Sequence, residues 1–170
     1  TYEQIPPLFI KAILAAEDDR FFEHEGINYK GLARAFVDIA RTGGIQSGGS
    51  TITMQVAKNY FLSHERTFSR KFTELLLAKD IEDSLTKQEI MTLYVNKIFL
   101  GHRAYGIGAA AQVYYNKKIN ELSLAEIAMI AGLPKAPSKY NPVNNPKRAM
   151  IRRDWILGRM LELGYIRQDD

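Results

Sequence analysis

The chain has 170 residues, 46% hydrophobic, 25% charged and 11% aromatic, which suits one compact core and argues against disorder. It contains no cysteine, which excludes disulfides, thiolate metal sites and a cysteine nucleophile. The formal net charge of +4 suits an anionic ligand or an anionic membrane surface, and no apolar run reaches the roughly 18 residues of a spanning helix.

Taken in chain order, nearly every periodic segment reads as helix. "PPLFIKAILAAE" carries prolines at its start, where a helix tolerates them, and apolar residues at Leu8, Ile10, Ile13 and Leu14. "YKGLARAFVDIART" predicts a second helix, stopped by Gly43 and Gly44. "GGIQSGGS" reads as a flexible loop whose Ser50 caps the next helix, "TITMQVAKNYFL". A basic helix follows from about Phe68 to Ser84. Thr86 with Glu89, and Ser123 with Glu126, have capping-box spacing ahead of "KQEIMTLYVNKIFL" and "IAMIAGL". "PKAPSKYNPVNNP" is irregular, and "KRAMIRRDWILGRMLELG" makes a last helix ending at Gly164. No segment alternates like a strand with hairpin turns, so the fold class is mainly α with at most a minor irregular β element. The opening "TYEQIPP" and closing "IRQDD" read as the ends of one domain, residues 1–170, cut from a longer protein.

Two acids draw attention. Glu17 heads "EDDRFFEHEG" directly after an apolar helix with small neighbours at Ala15 and Ala16, a setting that desolvates a carboxylate and suits a general base. Asp18 and Asp19 add like charge in the same direction. Glu74 lies in "ERTFSRKFTELLLAKDIE", four residues after Arg70 and eight after Arg66, with Lys71 bordering that face. Cations around one carboxylate hold it ionised, and the same cations receive phosphate. Lys58 and Asn59 close the preceding helix and add a cation and an amide. "SGGSTITMQ" offers Ser50 and Thr51 as donors at a helix start, without the lysine that a P-loop needs. Each run alone is also what a solvated helix end, a plain loop or an exposed salt-bridged face looks like. Together they give two carboxylates in contrasting environments, a pattern that divides acid and base roles in glycosyl chemistry.

The segments "EDDRFFEHEGI", "GGSTITMQVAKN", "RKFTELLLAKDIE", "EIMTLYVNKIFLG" and "RAYGIGAAAQVYYNK" are collinear from about Ile13 to Pro142. In that order they resemble the peptidoglycan glycosyltransferase domain of class A penicillin-binding proteins and its monofunctional relatives. The resemblance implies a lysozyme-like, two-lobed helical fold around a long cleft. It implies polymerisation of lipid II into β-1,4 glycan strands, with inversion at the donor anomeric carbon and release of undecaprenyl pyrophosphate. It assigns Glu17 as the base that takes the proton of the acceptor 4-hydroxyl, and Glu74 as the second essential glutamate. Ser50, Gln55, Lys58, Asn59, Arg66, Arg70 and Lys71 match positions that hold donor phosphates and sugar; Thr51 joins them from the loop reading. Asp18, Phe21 and His24 match shape-keeping positions, and Asn96 a structural one. Met54 departs from the family, which usually has two consecutive glutamines there; Gln55 keeps the second.

The same resemblance implies a membrane-anchored parent on the extracytoplasmic face of the bacterial plasma membrane, with a transpeptidase domain elsewhere in it. Leu32, Phe36, Val37 and Ile39 would dip into the bilayer, with Lys30, Arg34 and Arg41 at the headgroups. A divalent cation, Mg2+ or Mn2+, is expected at the donor pyrophosphate, with Glu74 as its candidate ligand, and no organic cofactor. Moenomycin, a phosphoglycolipid mimic of the donor strand, is the expected inhibitor. Two rivals stand beside this reading. A lysozyme-like hydrolase or lytic transglycosylase would not need the basic "RKFTE" face. A nucleic-acid-binding module would show bases without interleaved acids and a groove-reading motif.

Overall fold

The computed structural model of the chain describes residues 1–42, 50–61 and 68–170, and within helices the side chains of residues 35, 38, 39, 42 and 68–70 fall outside that description. The loop expected at 43–49 and the start of the basic segment, including Arg66, therefore lie outside the described residues. Eight α-helices are described: α1 (Pro7–Glu17), α2 (Tyr29–Thr42), α3 (Ile52–Phe61), α4 (Phe68–Ser84), α5 (Lys87–Lys97), α6 (Ile107–Tyr115), α7 (Leu124–Ala131) and α8 (Pro146–Glu162). Short 3₁₀ turns sit at Tyr2–Gln4 and Ile119–Glu121. Among the described residues the β content is one antiparallel bridge, Phe99 to Tyr105, so the mainly-α expectation holds.

The chain forms two compact units. The first takes residues 1–19 and 95–170, the second 20–94. In the first, α1 packs on α7 and α8, and Phe9, Ile13, Ile130 and Ile156 are buried between them. Fully burying one such side chain is worth about 1.5–3 kcal/mol. Both prolines of α1 precede its hydrogen-bonded interior, and Pro7 opens the helix where its missing N–H costs nothing. The helix α7 is held at its start by the expected capping box: Ser123 Oγ accepts from Glu126 N, and Glu126 Oε1 accepts from Ser123 N at 2.9 Å. Lys117 Nζ adds an ion pair to Glu126 at 2.9 Å. The Ser123 N–H and then Lys117 hold the Glu126 carboxyl below its ordinary value of 4.5.

In the second unit α3 packs on α4, with Ile52, Met54, Val56 and Ala57 buried from one side and Ala78 and Ile81 from the other. Met54 is fully buried, so the residue that departs from the paired glutamines is a core residue here. Helix α2 is amphipathic and leaves Phe36 70% exposed, with Val37 and Tyr29 also exposed. The second capping box is present as well: Thr86 N and Glu89 Oε1, and Glu89 N and Thr86 Oγ1, are each 3.1 Å apart.

Two boundaries differ from expectation. Thr51, not Ser50, caps α3: its Oγ1 accepts from Met54 N at 3.1 Å. The helix expected through Leu100 stops at Lys97, because the chain turns back through His102 and Arg103 at positive φ and Leu100 N donates to Ala104 O at 2.8 Å. Gly106 closes that turn at φ +88°, where a Cβ would stand 2.6 Å from the Asn96 carbonyl oxygen. Asn96, with its exposed side chain, thus contributes its backbone to a close packing step.

Candidate functional site

The acidic stretch is divided between the units. Glu17, Asp18 and Asp19 belong to the first, Arg20 to Gly26 to the second. Glu17 is the last residue of α1, so its side chain leaves a helix whose other turns are buried in apolar packing. Its carboxylate is 11% exposed and Oε1 lies 3.7 Å from Nη2 of Arg152 on α8, itself 8% exposed. The setting is therefore not purely apolar, as α1 alone suggests: a buried guanidinium from the far end of the chain stands beside the acid. Asp18 is buried and its N–H donates to Leu14 O at 3.0 Å, closing the helix. Asp19 is turned to Arg159 at 3.0 Å.

In the second unit, Ser50, Lys71 and Glu74 come together. Lys71 Nζ is 2.5 Å from Ser50 Oγ and 3.2 Å from Glu74 Oε2. The carboxylate of Glu74 is 7% exposed, whereas Lys71 is 50% exposed. A largely buried carboxylate thus orients a cation whose donors still reach solvent. That arrangement presents fixed positive charge to an incoming anion. On α3, Lys58 is exposed and Gln55 and Asn59 are half-buried. The backbone of Arg70 lies in α4, one position before Lys71; its side chain is outside the description, as is all of Arg66.

The rest of the first motif is locked onto this unit. Phe21 is fully buried, edge-on to Phe22 and His24, with Lys87 Nζ 4.6 Å from its ring centre. His24 Nδ1 accepts from Gly26 N at 3.0 Å, and Gly26 O accepts from Thr51 Oγ1 at 2.7 Å. Gly26 sits at φ +96° with Ala78 O 3.1 Å from where a Cβ would be, so the loop lies against α4 as only glycine permits. Lys87 also donates to His24 O and Glu82, and Glu82 accepts from Thr53 Oγ1 at 2.7 Å. Phe21 and His24 are thus both engaged in packing and hydrogen bonding within this unit. Thr51 is 1% exposed, and its hydroxyl donates to Gly26 O and accepts from Met54 N, so that hydroxyl serves as a structural cap.

Among the described residues no cluster of three or more His, Cys, Asp or Glu could hold a metal ion. Glu74 with Lys71 upon it does not make a cage for a divalent cation, which would need oxygen ligands from elsewhere. Of the proposed bilayer contacts, Phe36 and Val37 are exposed, Leu32 is half-buried and the Ile39 side chain lies outside the description. No described helix is long and apolar enough to cross a membrane. Sequence reasoning missed Arg152 and Lys87, since each looks like any other basic residue on an amphipathic helix.

The family model described as transglycosylase matches residues 1–161. Penicillin-binding protein 1A of Pseudomonas aeruginosa is 65% identical over 98% of this chain and 20% of its own length. That of Neisseria gonorrhoeae is 57% identical over 92% of this chain and 20% of its own. The crystal structure of penicillin-binding protein 1A from Haemophilus influenzae matches with a TM-score of 0.59 at 33% identity, over 99% of this chain and 16% of that one. The chain spans about a fifth of the length of these curated relatives. With the two glutamates, the lysine-bearing α4 and the locked first motif in place, the chain belongs to the transglycosylase family, the peptidoglycan glycosyltransferase domain of class A penicillin-binding proteins.

Proposed function

We propose that the chain polymerises lipid II into β-1,4-linked glycan strands, with the growing strand as donor and lipid II as acceptor. The observation that carries this reading is Lys71, half-exposed and held between Ser50 and the buried carboxylate of Glu74. A pyrophosphate is already a good leaving group, so catalysis asks chiefly for neutralisation of the charge that builds on it. Lys71 supplies that charge, with Arg66, Arg70 and Lys58 as further cations and Ser50, Gln55 and Asn59 as neutral donors. Glu74 acts by orienting Lys71. A hydrolase acting on finished glycan has no pyrophosphate to neutralise and no use for this arrangement.

Glu17 is the general base: it accepts the proton of the acceptor 4-hydroxyl as that oxygen attacks the anomeric carbon and the pyrophosphate departs. Attack and departure on opposite faces of the sugar invert its configuration in one step, unlike a retaining glycosidase, whose carboxylate attacks the sugar. A divalent cation, Mg2+ or Mn2+, would be held at the donor pyrophosphate by Glu74 together with substrate oxygens, and would supply charge neutralisation there. No organic cofactor is required by this chemistry.

The substrate is a lipid, so the enzyme works at the extracytoplasmic face of the plasma membrane. The exposed Phe36 and Val37 of α2 support an interfacial seat for that helix. The name penicillin-binding protein of the relatives, together with the fifth of their length that this chain covers, supports a transpeptidase domain in the parent. Moenomycin is expected to bind as a donor mimic through its phosphate. The test supplies lipid II in detergent and intact peptidoglycan in parallel. Glycan strands from lipid II, with the peptidoglycan left whole, are expected. Cleavage of peptidoglycan with lipid II untouched would make the chain a hydrolase.

A further inference from the structure

The guanidinium of Arg152 occupies a built seat. Its Nη2 lies 3.7 Å from Glu17 Oε1 and 3.5 Å from the Ala16 carbonyl oxygen. Its central carbon stands 4.7 Å from the ring centre of Trp155 and 5.6 Å from that of Tyr140. Behind it, Gly132 leaves room for the stem: a Cβ there would be 2.8 Å from Arg152 Cγ. Such a seat on aromatic faces suits a planar, weakly hydrated cation. Arg152 and Ala16 are 136 positions apart in the chain, so α8 is what delivers a cation to the end of α1.

We propose that Arg152 is a positioning residue for Glu17, holding the carboxylate ionised and aimed so that it can accept a proton. This rests on the reading of Glu17 as the base. A carboxylate that is mostly withdrawn from water takes up a proton unless a cation stands near it. A protonated acid cannot act as a base. Arg152 Nη2, 3.7 Å from Glu17 Oε1, brings that cation to the carboxylate. The carbonyl of Ala16 and the rings of Trp155 and Tyr140 fix the guanidinium in that place.

The test measures kcat and KM for lipid II polymerisation by the full chain as wild type, Glu17→Gln, Arg152→Gln, Arg152→Lys and Trp155→Leu, with a thermal melt of each. In Arg152→Gln, kcat should fall about tenfold or more while KM stays within about twofold, since only the proton-accepting step is affected. Arg152→Lys, which keeps the cation, should recover most of that loss. Trp155→Leu keeps the charge but removes the stack at a half-exposed position; it should fold and lose several-fold in kcat alone, which covers the case in which Arg152→Gln does not fold. An unchanged kcat in folded Arg152→Gln or in Trp155→Leu overturns the proposal and leaves Glu17 as the base. So does a loss in Arg152→Lys equal to that in Arg152→Gln. Full activity in Glu17→Gln would instead remove the base reading, and the proposal with it.

Discussion

Replacing Lys71 by alanine separates stability from activity. The lysine is 50% exposed and its bond to Glu74 is 3.2 Å long, so as a contribution to folding the pair is worth about 0–1 kcal/mol after solvent screening. The hydrogen bond to Ser50 Oγ is exposed and adds little more. A melt of Lys71→Ala should therefore lie close to wild type. Against a developing pyrophosphate anion the same ammonium works in a site from which substrate displaces water, and losing one such preorganised charge typically lowers kcat about 10²–10³-fold, near 3–4 kcal/mol of barrier. The catalytic loss should thus exceed the folding loss severalfold. Glycan formation from lipid II is followed by gel or chromatography alongside thermal unfolding, and moenomycin affinity is measured in parallel. Polymerisation within about threefold of wild type, or equal moenomycin affinity for both proteins, would refute the assignment of Lys71 to the phosphate site.

Other outcomes follow from particular contacts. Thr51→Val removes a buried hydroxyl that caps Met54 N and serves Gly26 O; it should cost about 1–3 kcal/mol in chemical denaturation while the folded protein keeps its moenomycin affinity, and a weakened affinity without destabilisation would return Thr51 to the ligand site. Gly106→Ala meets both a positive φ and the Asn96 carbonyl, so it should lower the melting temperature by more than a solvent-exposed glycine change such as Gly158→Ala, which meets nothing within 4 Å. Glu126 is held below its ordinary 4.5, so its bonds to Ser123 N and Lys117 stabilise the fold above that pH and are lost as pH falls through the lowered value. The stability gap between wild type and Glu126→Gln should accordingly be present at pH 7 and close in acid; a gap that widens on acidification would contradict the sign.

The helices were readable because their signals are local. Prolines ahead of an apolar period mark α1, and two capping boxes mark α5 and α7 to the residue. The end of α5 was not readable: "NKIFL" continues the apolar run, and only the hydrogen bonds from Leu100 N to Ala104 O and from Gly106 N to Ile98 O show that the chain has left the helix. Glu17 and Glu74 stood out by their neighbours in sequence, as did Lys71. Arg152 did not, because "KRAMIRRDW" holds four basic residues on one helix and nothing local says which one is buried against an acid at the opposite end of the chain. The hydroxyls of Ser50 and Thr51 are adjacent and chemically alike, and the fold alone assigns one to Lys71 and the other to the Gly26 carbonyl.

The most direct measurement is lipid II polymerisation by wild type and by Glu17→Gln at matched moenomycin affinity. The amide keeps the size of the side chain and removes its capacity to accept the hydroxyl proton. Glycan strands from wild type, with synthesis lost by at least about a hundredfold in a Glu17→Gln protein that still binds moenomycin, are the expected result. Strand synthesis by Glu17→Gln at a rate near wild type would contradict the account at its centre.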